Sequence, residues 1–181
     1  MDPLLLTAFR FEVRLSRSPE IVAGRQPLGG SRPAAGASGG DVLGTGAFQE
    51  CTGLEIEMDV QEYLEGGRNN GTVRRVGRAK FAPLVLKRGM FHGQGAGDGA
   101  DPRLWHWLQR IVNGERPVPR MDGQVALMSA DGSVRATWVF ERGLPARIRG
   151  PELNARTGEV AIEELTIAHE GLRLLPAEEP L

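Results

Sequence analysis

The glycine-rich segment before the helical pattern is the first candidate for chemistry. From Gly95 to Ala100 it fits the loose G-x-G-x-x-A pattern of dinucleotide-binding loops. In such loops the N-terminus of the following helix attracts a pyrophosphate. Here that helix would begin at Asp101, whose carboxylate repels phosphate, and a β-hairpin pattern follows instead of a parallel βαβ unit. We therefore interpret the segment as a flexible entry to the helix.

Histidines and paired acids are the other candidates for catalysis or metal binding. His92, His106 and His169 are scattered, and none has a second residue at metal-ligand spacing. His92 and a following aspartate could form a dyad, but a glycine-rich segment would not hold them rigidly. Glu163 and Glu164 are neighbours in a predicted strand, so they point to opposite faces. We predict that the protein is not an enzyme and binds no metal or other cofactor.

Length and composition predict one domain that spans residues 1–181 and is large enough to bury a core. A net charge of −1 gives no electrostatic reason to expect a nucleic-acid partner. Cys51 is the single cysteine, so a disulfide framework is excluded. The opening MDPLLLTAFRFEVRL has no basic region and a short apolar run. We therefore expect no signal peptide, no membrane anchor and synthesis in the cytoplasm.

The stretch from Phe48 to Gly67 carries the strongest strand pattern. Its apolar positions are Leu54, Ile56, Met58 and Val60, and its polar positions are Glu55, Glu57, Asp59 and Gln61. Strict alternation predicts a strand with one buried and one solvated face. The break at Gln61–Glu62 predicts a β-bulge or the point at which the strand leaves its sandwich. A strand that outgrows its own sheet is a candidate for pairing with another chain.

The remaining patterns place one helix among about six strands. The strand segments are Phe9–Leu15, Thr72–Met90, Val125–Ala130, Val134–Phe140 and residues 159–175, with Pro83 at an edge or bulge and a slip at Glu163–Glu164. In the hairpin around Asp131-Gly132, the predicted buried residues are Val134, Ala136, Trp138 and Phe140. Residues 16–45, rich in Gly, Pro and Ser, predict a loop inserted in one hairpin. The fold class is mainly β, a β-sandwich or barrel with one α-helix.

The helix is predicted between Pro102 and Asn113, with Asp101 as N-cap and Gly114 as the terminating residue. Its buried stripe is predicted to contain Leu104, Leu108, Ile111 and Val112, with Trp105 at the edge. The residues predicted to face outward are Arg103, His106, Gln109 and Arg110. Ahead of the helix, Asn70-Gly71 predicts a tight turn with basic flanks, which the residue types alone suggest is a solvated hairpin tip.

Five stretches, in this order, resemble the tail-tube protein family of contractile phage tails and extracellular contractile injection systems. They are FRFEVRL, AFQECTGLEIEMDVQEYLEGG, LVLKRG, DPRLWHWLQRIVNG and EVAIEELTIAHEGL. The resemblance covers nearly all of residues 8–175. The insertion at 16–45 is longer than the family pattern needs, which leaves two alternatives. The chain is either the main tube subunit or a specialised initiator subunit next to the baseplate.

The resemblance implies hexameric rings in which each subunit contributes four strands to one large β-barrel, and the rings stack into a tube. Glu55, Glu57, Asp59 and Gln61 would line the lumen, while their apolar neighbours pack on the subunit's own core. A mostly acidic wall would let DNA or an acidic cargo slide without sticking. The rival reading, a monomeric β-barrel for a small ligand, requires an apolar interior, which the acidic alternation opposes.

The same resemblance implies where the partners bind. A ring-stacking loop would contain Arg68, Asn69, Asn70, Arg74 and Arg75, and the outward helix face would lie beside a sheath protein. The implied partners are other copies of the chain, the sheath, baseplate or tube-initiator proteins, and translocated cargo or DNA. The implied location is a phage-tail-like particle, virion or injection system, in which the protein acts mechanically.

Overall fold

A computed structural model describes residues 10–19, 42–46, 48–64, 66–67, 71–91, 99–156 and 158–175. Within these ranges the chain forms ten β-strands and one α-helix. They are β1 (Phe11–Arg17), β2 (Val42–Gly46), β3 (Phe48–Thr52), β4 (Ile56–Tyr63), β5 (Val73–Phe81), β6 (Leu84–Gly89), α1 (Arg103–Val112), β7 (Met121–Met128), β8 (Val134–Arg149), β9 (Ile162–Ala168) and β10 (Gly171–Leu175). The predicted class, mainly β with a helix, is confirmed.

Eight strands form one antiparallel sheet in the order β2-β1-β7-β8-β9-β6-β3, with β10 also paired to β8. The long strand β8 joins the two halves of this sheet, because β7 and β10 pair with its first part and β9 pairs with residues 144–149. A β-bulge places Glu141 and Arg142 opposite Asp122, and Arg142 has a φ of 55°. The Asp122 carboxylate accepts a 2.8 Å hydrogen bond from the Arg142 backbone amide. Bulges bend strands, so β8 turns the sheet over on itself here.

The core lies between the two halves of the sheet. Alternating positions of the strands supply it, among them Val13 and Leu15, Leu84 and Leu86, Leu165 and Ile167. Phe140 is buried as predicted, but Val134 is half exposed because it stands at the open end of the hairpin. The predicted slip at Glu163–Glu164 is wrong: Glu163 is buried on the same face as Leu165.

The helix α1 packs its Leu104 and Trp107 side chains into this core. The indole Nε1 of Trp107 donates a 2.9 Å hydrogen bond to the carbonyl of Pro119. The buried face of the helix that the sequence predicted omitted Trp107 and wrongly included Val112, which is 76% exposed. At 100° per residue, Val112 lies about 110°, nearly a third of a turn, away from the centre of the face shared by Leu104 and Trp107.

Both ends of the segment predicted to be an inserted loop carry strand residues. β1 continues to Arg17, and β2 begins at Val42 and pairs with β1. The loop boundaries at 16 and 45 are therefore too wide, because backbone pairing extends the strands past the last apolar side chain. Residues 20–41 lie outside the described part of the chain.

Candidate functional site

Strands β4 and β5 form a two-stranded ribbon that continues the β3–β6 pair beyond the main sheet. The continuation is interrupted at Gly53 and Pro83, so the predicted strand Thr72–Met90 is two strands. Gly53 has a φ of 88°, and a Cβ atom there would lie 2.1 Å from the Pro83 carbonyl oxygen. Only glycine fits this close approach.

The root of the ribbon is fixed to the body of the protein. Leu54 and Phe81 pack against the core. The Nε2 of His169 donates a 3.1 Å hydrogen bond to the carbonyl of Ala82, and its ring lies 5.6 Å from Phe81 and 5.7 Å from Phe140. Burial lowers the pKa of His169 below its usual value, which favours the neutral ring.

One face of the ribbon is apolar and uncovered within the described chain. The pairs Ile56–Phe81, Met58–Ala79 and Val60–Val76 share this face, because paired residues of antiparallel strands point the same way. Ile56, Met58, Val60 and Val76 are 53%, 46%, 60% and 77% exposed. The prediction that the first three pack on the subunit's own core is wrong. The ribbon extends past the sheet that would have covered them.

The opposite face of the ribbon carries charges of both signs. Asp59 accepts a 2.6 Å hydrogen bond from Lys80 Nζ, which raises the pKa of Lys80. Gln61 pairs with Arg75, whose guanidinium lies 5.0 Å from the centre of the Tyr63 ring. The predicted acidic strand face therefore faces bases on the partner strand.

The bulge of the ribbon is two residues earlier than predicted. The expected position was Gln61–Glu62, whereas the register shift lies between Met58 and Val60. Asp59 there opposes both Gly77 and Arg78, so the extra residue belongs to β5. A Cβ atom on Gly77 would lie 3.0 Å from the Asp59 Cβ, which explains why glycine occupies the bulge. Alternation along one strand could not reveal a bulge made by its partner.

The main sheet has a polar face on the side away from the core. Four of its side chains form a row across β3, β6, β9 and the end of β8: Glu50, Lys87, Glu164 and Arg149, paired in that order. The Nζ of Lys87 lies 3.0 Å from both carboxylate oxygens of Glu50. Sequence reasoning missed this row, although Lys87 occupies an outward position in the alternation of β6.

Both ends of this four-strand region are open within the described chain. β3 pairs only with β6, and residues 144–149 of β8 pair only with β9. Neighbouring strands run antiparallel throughout the region. Open edges expose backbone amides and carbonyls that can pair with another strand.

A buried polar cluster ties the helix to the sheet. The Nε of Arg88 lies 2.5 Å from a carboxylate oxygen of Glu163, and both side chains are at least 97% buried. The second Glu163 oxygen accepts a 3.0 Å hydrogen bond from the Trp105 indole, and Asp101 lies 3.2 Å from Arg88. Sequence reasoning missed this cluster. The feature that could have revealed it is the presence of charged residues at core-facing positions of the strands LVLKRG and EELTI.

The other predicted site residues are distributed as follows. Arg68, Asn69 and Asn70 of the predicted stacking loop lie outside the described residues, as do His92 and residues 95–98. Arg74 pairs with Glu62 at 3.3 Å. On α1, His106 and Gln109 are exposed, Arg103 hydrogen-bonds Asp101 at 2.8 Å, and Arg110 forms an ion pair with Glu115.

The described residues contain no cluster of His, Cys, Asp and Glu arranged to hold a metal ion. The helix in the described part of the chain has ten residues, too few to cross a membrane. The distinctive features are therefore surfaces: an apolar ribbon face, two open sheet edges and a polar face.

Several solved structures share the fold of this chain. The chain is 20% identical to a protein of the anti-feeding prophage baseplate, with a TM-score of 0.68 over 99% of this chain and 100% of that one. It is 19% identical to a protein of the anti-feeding prophage tube-terminating cap, with a TM-score of 0.68 over 98% of this chain and 95% of that one. It is also 19% identical to a protein of the PVC sheath–tube complex of an extracellular contractile injection system, with a TM-score of 0.63 over 94% of this chain and 91% of that one.

No curated protein matches the sequence. The family model described as T4-like virus tail tube protein gp19 matches residues 7–173. That range includes every strand and the helix except the last residues of β10. The chain thus belongs to the tail tube protein family typified by gp19 of T4-like viruses.

Proposed function

We propose that this protein is an inner-tube subunit of a contractile injection machine, in which six copies pair edge to edge into a ring and the rings stack around a polar lumen. The observation that carries the proposal is the ribbon of β4 and β5, whose apolar face is left uncovered by the residues that the structure describes. The open edges of the neighbouring sheet support it.

Strand direction favours a closed ring. Four strands of alternating direction lie between the open edge of β3 and the open edge of residues 144–149. A rotation about an axis roughly along the strands therefore places β3 of one copy antiparallel to β8 of the next. The pairing surface differs on the two sides, so the contact is head to tail, and six such contacts related by equal rotations of one sixth of a turn close into a ring.

The apolar ribbon face fits a second copy of the same chain. It begins at Phe81, beside the core, and continues through Ile56, Met58, Val60 and Val76. Covering such a surface stabilises an assembly by about 25 cal/mol for each Å² of apolar area removed from water. Adjacent subunits in a ring present repeated ribbons, which can cover each other's apolar faces without a further partner.

The polar faces would then surround a conduit. Six subunits with four strands each give a barrel of 24 strands, and with spacing of ~4.8 Å and a tilt of ~40° its backbone diameter is roughly 45–50 Å. Side chains cannot fill that width, so the interior holds water. Glu55, Glu57, Asp59 and Gln61 face this interior in the proposed ring.

The partners follow from the position of the remaining surfaces. The exposed His106 and Gln109 of α1 lie on the outer side, next to a sheath, and Arg74 and Arg75 lie near the ribbon tip, next to the adjoining ring. The solved structures that share the fold belong to a six-fold symmetrised baseplate and a sheath–tube complex, which supports a sheath and a baseplate as partners. The function is mechanical, and the subunit makes or breaks no covalent bonds.

Negative-stain microscopy with sedimentation velocity tests the proposal. The wild-type protein should form six-fold rings or tubes, whereas the double variant V60E/V76E should sediment as a folded monomer. V112E, an equally exposed valine-to-glutamate change on α1, is the matched control and should assemble. Assembly of V60E/V76E, or a wild-type monomer even with baseplate components, would overturn the proposal.

A further inference from the structure

We propose that the wall of this conduit is charge-balanced rather than acidic, and that the chain's only two lysines maintain the balance. The inference rests on the proposed inner-tube function. The wall is defined here as the polar face of the ribbon together with the polar face of β3, β6, β9 and residues 144–149. Its chemistry suits a polypeptide cargo of either sign of net charge.

In the ribbon part of the wall, Glu57 and Asp59 stand opposite bases of the neighbouring strand. Glu57 is paired with Lys80 across the two strands, and Asp59 also contacts Lys80. Arg78 occupies the bulge opposite Asp59, and Arg75 lies beside Gln61. The acidic alternation of β4 is therefore compensated by basic residues of β5, which follow in the sequence after the turn.

The sheet part of the wall alternates in sign from strand to strand. Across the four strands the order is Glu50, Lys87, Glu164 and Arg149, and the next row adds Arg147 opposite Thr166. Unlike charges thus stand side by side at strand spacing of ~4.8 Å. Both ribbon and sheet carry acids and bases in similar number.

Lys80 and Lys87 are the only lysines of the sequence, and both lie on this wall. Lys80 Nζ is 2.6 Å from Asp59, and Lys87 Nζ is 3.0 Å from Glu50. Paired charges cancel at distances beyond the Debye length of ~10 Å at 0.1 M salt, so the middle of the conduit feels little net potential. A cargo with charges of both signs is neither repelled nor held.

A polypeptide fits this wall better than DNA does. Arg147 and Arg149 are exposed on it. DNA places one phosphate charge per ~1.7 Å along its axis, and guanidinium contacts to successive phosphates release counterions and hold the strand. A polypeptide carries no such continuous line of charge.

The two lysines allow the wall to be altered after assembly. Preformed wild-type tubes are treated with succinic anhydride, which converts each lysine amine into a carboxylate. Retention of a cationic peptide, a matched anionic peptide and a DNA oligonucleotide is measured by cosedimentation at low salt. Microscopy confirms that the tubes persist, and tubes of K80Q/K87Q, where the N-terminal amine is the remaining primary amine, are the matched control.

Untreated wild-type tubes should retain the two peptides to within about threefold and the oligonucleotide more strongly. Succinylation should raise the cationic-to-anionic ratio about tenfold, and high salt should abolish that change. The treated K80Q/K87Q control should show no change. Untreated tubes that already prefer the cationic peptide tenfold, or that exclude DNA, would overturn the charge-balanced wall and leave the tube itself intact. Failure of wild-type protein to form tubes would overturn both proposals.

Discussion

Arg88 and Glu163 form a buried ion pair between β6 and β9, with 2.5 Å between Arg88 Nε and Glu163 Oε1. The two residues are directly opposite in the strand register. Trp105 and Asp101 complete the hydrogen bonds of the pair, so the start of α1 is attached to the sheet at a single polar cluster. Buried charges are tolerated only when their partners are present.

We therefore predict that E163Q lowers the free energy of unfolding by roughly 3–5 kcal/mol, because it removes the buried counter-charge of Arg88 and leaves only Asp101, which is 3.2 Å away and 19% exposed, to balance that charge. Urea denaturation of the monomeric ribbon variant V60E/V76E, which avoids coupling to assembly, measures the change. E164Q is the matched control, since Glu164 faces the opposite side of the same strand, and it should cost at most about 1 kcal/mol. Equal costs for the two variants would show that the buried pair has no special role.

The contact of Gly53 with Pro83 sets the direction in which the ribbon leaves the sheet. We expect G53A to lose about 1–3 kcal/mol, because alanine disfavours a φ of 88° and its Cβ would collide with the Pro83 carbonyl. The ribbon should shift at its root, so ring formation should fall as well. Urea denaturation and sedimentation measure the two effects.

G66A is the matched control for this variant. Gly66 lies near the tip of the ribbon and a Cβ atom there would meet nothing within 4 Å. Its effect on unfolding should stay within about 0.5 kcal/mol. Normal assembly of G53A would contradict the role of Gly53 in aiming the ribbon.

His169 makes stability depend on pH near neutrality. Burial lowers its pKa in the folded state below the ordinary value of 6.5, so the unfolded chain takes up the proton first. The stability that the neutral His169 ring contributes to the folded state is fully present above pH 6.5 and is lost as the pH falls below that value. We expect Tm to decrease between pH 7.5 and 5.5 in the wild type and to decrease less in H169Q.

The exposed His106 of α1 provides the control, and H106Q should keep the wild-type pH dependence. A wild-type Tm that is flat from pH 7.5 to 5.5 would contradict the assignment to His169.

Asp101 contributes to stability in a separate, lower pH range. Its hydrogen bond from Arg103 lowers its pKa to about 2, so the stability it contributes is lost only as the pH falls from about 4 to about 2.

Cys51 on β3 should react slowly with thiol reagents. Burial raises the pKa of its thiol from 9.0 to about 11, so little thiolate is present at pH 8. A rise of two pKa units lowers the thiolate fraction about a hundredfold, so thiol–disulfide exchange should be at least about tenfold slower in the folded protein than in urea. Absorbance of a chromogenic disulfide reagent follows the rate, and equal rates in the two states would contradict the burial of the thiol.

The faces of the long strand could be read from the sequence. Successive side chains of any strand point to opposite sides, so the alternation from Leu54 to Gln61 separated an apolar from a polar face before any tertiary contact was known. The helix from Pro102 to Asn113 was predicted to within one residue at each end. Its stripe was less accurate, since Trp107 is buried and Val112 is not.

Long-range pairing decided the rest. Whether Ile56, Met58 and Val60 are covered depends on where the sheet ends, and the strands are interrupted where Gly53 approaches Pro83, thirty residues along the chain. The charge of the polar face depends on register, because only pairing brings Lys80 to Asp59 and Lys87 to Glu50. The direction of a side chain from its strand is fixed by local covalent geometry, so the sequence predicts it. Burial and charge balance depend on which residues of other strands lie beside that side chain, and only the tertiary structure shows those neighbours.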